Sequence, residues 1–228
     1  RAPRWLRSLW RSKTGMVGFI IVAVVMFCAV FAPYIAPYDP NAINPLYMLK
    51  PPAFVEGGDI QFLLGTDNLG HDFLSRLIYG ARISMLIGVF SVFVAGFIGT
   101  AFGLIAGYYG GICDSIIMRI TDAFHAIPRT LLALVAVSLM QASVTTLIIV
   151  IGVTGWVNYA RLIRSEVLVL KEREFVKASI TIGTPDYKII LKHILPNVFS
   201  VFIVVSTLAV ATSIIAETSL SFLGLGIQ

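Results

Sequence analysis

TLLALVAVSLMQASVTTLIIVIGVTGWVNYA, residues 130–160, runs for 31 positions without one charged side chain, and its reading decides the fold. As a single helix it would be about 46 Å long, well beyond the roughly 30 Å of hydrocarbon in a bilayer. As two complete spans it is too short unless neighbouring residues join it. Charge on either side resolves the ambiguity. Arg1, Arg4, Arg7, Arg11 and Lys13 precede the first apolar run, and Arg161, Arg164, Lys171, Arg173, Lys177, Lys188 and Lys192 follow the quoted stretch. Basic residues gather on the cytoplasmic side of membrane spans, so both clusters belong inside and an even number of crossings separates them. The region from about 115 to 160 therefore supplies two helices, expected at 115–140 and 144–160 and turning at Gln141-Ala142-Ser143.

Working outward, three further uncharged runs, 14–38, 83–113 and 193–216, are long enough to cross. The expected organisation is an all-α polytopic membrane bundle. Residues 1–13 form a cytoplasmic segment, 14–38 the first transmembrane helix and 39–82 an external loop with a surface helix. Residues 83–228 form the core, with a cytoplasmic loop at 161–196. A fifth helix near 198–215 leaves Gln228 outside. Between Asp39 and Arg82, five acids against three bases agree with an external position. A cleaved leader is the less favoured reading of the N-terminal run, since Pro33 would directly follow the cut.

Composition supports the same class. Hydrophobic residues make up 57%, charged residues 13%, and mean hydropathy is +0.89, whereas soluble domains carry about 25% charge. The net charge of +5 is concentrated beside apolar runs, which points to membrane orientation and away from nucleic acid. Cys28 and Cys113 read as small apolar fillers.

The chemistry-bearing residues are few. There is no phosphate loop and no His-Glu-x-x-His, and His71, His125 and His193 fall on opposite sides of the expected membrane. No catalytic residue, bound cofactor or metal is therefore expected on this chain. Asp67, His71, Asp72 and Ser75 form the one cluster that could mimic hydrolytic chemistry. Asp67 reads more simply as the N-cap of a surface helix over 68–79. Arg119 and Asp122, spaced i and i+3 at membrane depth or its inner edge, are expected to pair, as a structural anchor or as part of the pathway. Trp156 and Asn158 either line a pathway or anchor the interface. The prolines at 40, 45, 51 and 52 make the outer loop irregular, a surface that could meet an external protein.

The most informative part is the loop from Arg161 to Pro196. Phe175, Ala178, Ser179 and Ile182 form one helical stripe within a helix expected at 172–182, and Gly183 ends it. Thr184-Pro185-Asp186 is expected to restart a helix, with Thr184 as N-cap and Pro185 at the first helical position, running to about His193. Two short helices joined at a glycine make a knuckle, either a docking element for a soluble partner or a connector packed on the bundle.

This loop resembles the cytoplasmic signature of ABC transporter permease subunits. Ala178, Gly183, Leu195 and Pro196 stand at its spacing, with Lys177, Ser179 and His193 in place of its Glu, Ala and Ile. GTDNLGHDFLSRLIYGAR (65–82), AGYYGG (106–111), MRITD (118–122), Tyr159-Ala-Arg161, His193-Ile-Leu-Pro-Asn197 and ETSLSFLGLG (217–226) extend the resemblance over nearly the whole chain. They resemble the shorter paired subunit of the peptide and nickel class, with His71 where that class has Arg and Thr218 where it has Ala. The resemblance implies a subunit forming half the translocation pathway of an ATP-driven importer in a bacterial or archaeal inner membrane. Its implied partners are a second homologous permease, cytoplasmic ATPases carrying ATP and Mg, and an external solute-binding protein. It further implies ATPase coupling through Glu174, Phe175, Lys177, Ala178, Ser179, Gly183, Thr184, Pro185 and Asp186, and a sixth helix beyond Gln228. Peptides are the implied solute, with nickel or glutathione-type solutes, an ATP-independent channel and a membrane hydrolase using His71 or Ser75 as alternatives.

Overall fold

The computed structural model describes residues 12–141 and 143–226; the basic residues Arg1 to Arg11 and Ala142 lie outside the described residues. The chain divides into two compact units, residues 1–85 and 86–228. Among the described residues there is no strand, only one isolated bridge between Thr66 and Asp72. The fold is an all-α, multi-pass membrane bundle. Four helices are long and apolar enough to cross a membrane, or five when a bent pair counts as one.

In the first unit, α1 (Lys13–Ile35) is capped by Ser12, whose Oγ accepts from the Gly15 N–H at 3.0 Å. It is apolar on every face, as a helix surrounded by acyl chains must be. The connector that follows is irregular but organised around Phe62, which is buried against the rings of Tyr38 at 5.3 Å and Tyr47 at 5.2 Å. Thr66 ties two strips of it together, accepting from the Lys50 N–H at 2.9 Å and donating to the Tyr47 carbonyl.

Helix α2 (Phe73–Tyr109) contains the segment expected to form a separate surface helix. Nothing between Phe73 and Tyr109 breaks the helix, so its first turns are the opening of the span itself. Its cap is Asp72, not Asp67: Asp72 Oδ2 accepts from the Ser75 N–H at 2.8 Å, the N-cap to N3 bond.

In the second unit, the expected third helix is broken into α3 (Gly111–Ala126) and α4 (Arg129–Ser138), bent by 80°. Pro128 causes the break, because its ring disfavours the α conformation at Ile127, which lies at φ −99° and ψ 129°. Helix α5 (Val144–Lys171), capped by Ser143, runs eleven residues past its expected end at 160. It continues through Arg161 and Arg164 because both find carboxylate partners on α3.

Gly99, Gly103 and Gly107 repeat every fourth residue on α2 and meet α5 backbone to backbone. A Cβ at Gly99 would lie 2.4 Å from the Trp156 carbonyl oxygen. One at Gly103 would lie 2.8 Å from that of Ala160, and one at Gly107 3.0 Å from that of Arg164. Small residues at this spacing are how membrane helices approach closely without a hydrophobic driving force. Trp156 is buried here between Phe102 at 5.0 Å and Phe124 at 5.8 Å, while Asn158 faces outward.

Candidate functional site

The knuckle is built from α6 (Glu174–Thr181) and the single turn α7 (Asp186–Ile189), followed by a π turn at Ile190–Ile194 and then α8 (Leu195–Phe222). Helices of eight and four residues are not stable alone in water, so their order comes from what they bury. Val176, Ile189 and Ile194 are fully buried and share one cluster with Tyr108 of α2, Ile163, Val167 and Leu170 of α5, and Val198 of α8. Three apolar side chains thus pin the knuckle to the ends of three spanning helices.

Its two halves meet at Gly183. This residue has φ +81°, its N–H donates to the Ile180 carbonyl at 2.9 Å, and the Thr184 N–H donates to the Ser179 carbonyl at 3.1 Å. That pair of bonds is the Schellman arrangement, with glycine at the left-handed position as expected. The restart differs by one residue from the expectation. Pro185 is the N-cap, Asp186 opens α7, and Thr184 makes no capping bond. Asp186 is spent elsewhere, its Oδ1 accepting from the Tyr108 hydroxyl at 2.7 Å. Beside it, Lys171 Nζ donates to the Tyr108 carbonyl at 2.6 Å and satisfies an end carbonyl of α2.

Pro196 stands in the first turn of α8, directly after the π turn. Proline lacks the N–H and its ring collides with the carbonyl four residues back, and the π turn widens the helix there. Asn197 Nδ2 donates to the His193 carbonyl at 2.6 Å.

The buried residue of α6 is Val176, so the stripe of Phe175, Ala178 and Ile182 faces away from the bundle. Phe175 is 44% exposed and Ile182 82%, with Tyr187 also outward on α7. Around them lie Glu174, exposed in the first turn, and Lys177, ion-paired to Glu172 at 2.7 Å. The Lys177 ammonium beside it holds the Glu172 carboxylate below its ordinary range. Ser179 is half-buried and its hydroxyl donates to the Phe175 carbonyl at 2.8 Å. The site is an apolar strip with a charged rim on a fixed base, a surface suited to fitting a groove and to transmitting displacement.

The pair expected between Arg119 and Asp122 is not formed. Asp122 bonds Arg161 of α5 at 2.6 Å, and Asp114, about two turns earlier on α3, holds Arg164 in a bidentate fork at 2.5 and 2.6 Å. Arg119 is exposed. The i, i+3 spacing allowed a local pair, but α5 brings two arginines three residues apart against α3, and these guanidinium groups on a facing helix win both acids, Arg164 as a fork and Arg161 through one bond. Sequence reading had assigned those arginines to a loop; the spacings 114/122 and 161/164 were the signal.

In the loop before α2, Asp67 Oδ1 accepts from the N–H groups of Leu69 and His71, and Oδ2 contacts His71 Nδ1 at 2.8 Å and accepts from Arg76 at 2.5 Å. Burial pushes the carboxylate up, but these bonds outweigh it and hold it below the ordinary range. Ser75 Oγ donates to Asp72 at 2.6 Å and accepts from the Tyr38 N–H at 3.0 Å. His71 and Ser75 belong to separate bonding sets, so the imidazole-on-hydroxyl geometry of a serine nucleophile is not assembled.

Residues 99–228 match the family described as binding-protein-dependent transport system inner membrane component, and residues 4–52 match the N-terminal TM domain of oligopeptide transport permease C. The chain is 39% identical over 225 residues to a dipeptide transport system permease protein of Haemophilus influenzae, covering 97% of this chain and 76% of that protein. It is 40% identical over 228 residues to an oligopeptide transport system permease protein of Bacillus subtilis, covering 96% and 73%. A glutathione transport system permease protein of Escherichia coli is 40% identical over 222 residues, covering 97% and 72%.

Proposed function

Because the chain belongs to the binding-protein-dependent transport system inner membrane component family, and is therefore a permease subunit of such an importer, we propose that its knuckle is the seat of cytoplasmic ATPases and its solutes are small peptides. The observation that carries this reading is the outward strip of Phe175, Ile182 and Tyr187 on a base pinned through Val176, Ile189 and Ile194. A soluble ATPase docking on that strip moves the knuckle as a rigid body, and the three helices beneath it follow. ATP and Mg belong to those partners, since this chain has no phosphate loop. A second permease completes the pathway, and an external binding protein delivers solute to the outer face. The peptide assignment comes from the names of the similar permeases of Haemophilus influenzae and Bacillus subtilis; the Escherichia coli relative supports a glutathione-type solute as the second reading.

In this arrangement residues 1–13 and 161–196 face the cytoplasm of a bacterial or archaeal cell and the loop around Glu56 faces out. The test is to purify the complex through this subunit from cells carrying Ile182→Glu. ATPase recovery should fall at least about tenfold with membrane levels unchanged, and full recovery with normal uptake refutes the docking role. In sealed cells, an impermeant thiol reagent should modify Glu56→Cys and spare Lys177→Cys.

A further inference from the structure

Arg129 opens α4 immediately after the break at Pro128, and its guanidinium lies against Gly155 of α5, where a Cβ would come within 3.0 Å of its terminal nitrogen. One N–H donates to the Ile151 carbonyl at 3.0 Å, while the buried Nε–H meets no acceptor. Among the described residues no carboxylate forms an ion pair with it, in contrast to Arg161 and Arg164. A cation in a spanning segment is costly unless paired, and marks a functional position by default.

The same arginine lines a cavity of ≈170 Å³ with Leu134, Ile151, Thr154, Ser219 and Leu223. The hydroxyls of Thr154 and Ser219 already donate to backbone carbonyls, Thr154 to Val150 at 2.8 Å and Ser219 to Ile215 at 2.8 Å. The charged donors left unspent at this cavity are those of Arg129, with the Thr130 hydroxyl on the same wall, and an anion is the ligand that satisfies them. A space of this size holds one end of a solute, since whole-ligand pockets run to about 300 Å³ and more. Its place is also telling. Ile151 lies twenty residues before Lys171 on α5, some 30 Å from the knuckle end, and Ser219 and Leu223 stand at the far end of α8.

Resting on the peptide-importer reading, we propose that the Arg129 cavity is a solute subsite that takes the terminal carboxylate of the peptide as it enters the pathway. Apolar walls strengthen the attraction, and the fork geometry suits a carboxylate. Recognition by Arg129 would then discriminate free peptide acids from their amides.

The test uses the assembled transporter in proteoliposomes, with Cys28→Ala and Cys113→Ala and a reporter Ser219→Cys on the cavity wall. A sulfonate-bearing methanethiosulfonate should react faster than its trimethylammonium counterpart, and Arg129→Gln should reduce that ratio about tenfold, Arg129→Lys less. In the Ser219 background, Arg129→Gln should lower uptake of a free-acid peptide by a similar factor and leave its C-terminal amide unchanged. An anion-to-cation ratio that is the same with Arg and Gln overturns the site. A ratio that collapses when phosphatidylglycerol is added assigns the cavity to a lipid headgroup and overturns the solute assignment. If the ratio depends on Arg129 but neither acid nor amide enters with the native residue present, the anion site stands and the peptide reading fails.

Discussion

Tyr108 and Asp186, 78 residues apart in the chain, share a hydrogen bond of 2.7 Å that joins the last turn of α2 to the second helix of the knuckle. Tyr108 is buried and Asp186 carries the charge, so the bond belongs to the stronger, charge-assisted kind. Tyr108→Phe should cost about 1 to 2 kcal/mol locally while preserving the packing of the ring on Ile163 and Val167. The expected outcome is faster amide exchange over 184–194 and partial loss of co-purified ATPase, with membrane insertion unchanged. Unaltered exchange in that segment would show that the apolar cluster alone fixes it.

Gly183 provides a cleaner test, because a Cβ there meets nothing within 4 Å and only its φ of +81° resists substitution. Gly183→Ala and Gly183→Val should each cost about 1 to 2 kcal/mol and weaken ATPase retention and uptake together. Gly183→Asn should be milder, since asparagine tolerates the left-handed region. Equal defects in Ala and Asn variants would mean that side-chain bulk, not backbone conformation, is at issue.

The two inter-helix ion pairs should separate by burial. Asp114 and Arg164 are only 20% and 28% exposed and form a fork, so Asp114→Ala should lower stability in nanodiscs by at least about 2 kcal/mol. Asp122 and Arg161 are 68% and 39% exposed, so Asp122→Ala should cost about 0.2 to 1 kcal/mol. A double-mutant cycle should give coupling for Asp122 with Arg161 and none for Asp122 with Arg119.

The Asp67 cluster predicts an acid-labile loop. The Asp67 carboxylate is held below its ordinary value of 3.8, so its contribution is fully present above about pH 4 and is lost as pH falls through the depressed folded-state value. Limited proteolysis of residues 39–72 should accelerate below pH 4 in the native chain. Asp67→Asn should be more susceptible at pH 7 and show a smaller acid response.

What was legible in the sequence is what depends on local pattern. The uncharged runs gave the spans, and the left-handed glycine at 183 was visible because Thr-Pro-Asp follows a helical stripe. Charge parity divided 115–160 into two helical regions, and the first of them is a pair of helices bent by 80° where Pro128 acts on Ile127. What was not legible lies where one element's fate depends on another. The acid chosen by Arg161, the hydroxyl that bonds Asp186 and the face of α6 that Val176 buries each depend on a helix that lies far away in sequence. The tight α2 and α5 seam was readable in principle from Gly99, Gly103 and Gly107, whose spacing matters only once a partner helix is known.

That seam has a mechanical consequence. Where backbones touch, no flexible side chains lie between the helices to absorb shear, so α2 and α5 behave as one stiff shaft. Val176 and Ile189 press on one end of the shaft through Tyr108, Ile163 and Val167. Gly155 and Ile151 cradle Arg129 toward the other. A displacement applied at the knuckle therefore reaches the arginine as a lever's stroke, with the compliance left to the break at Pro128.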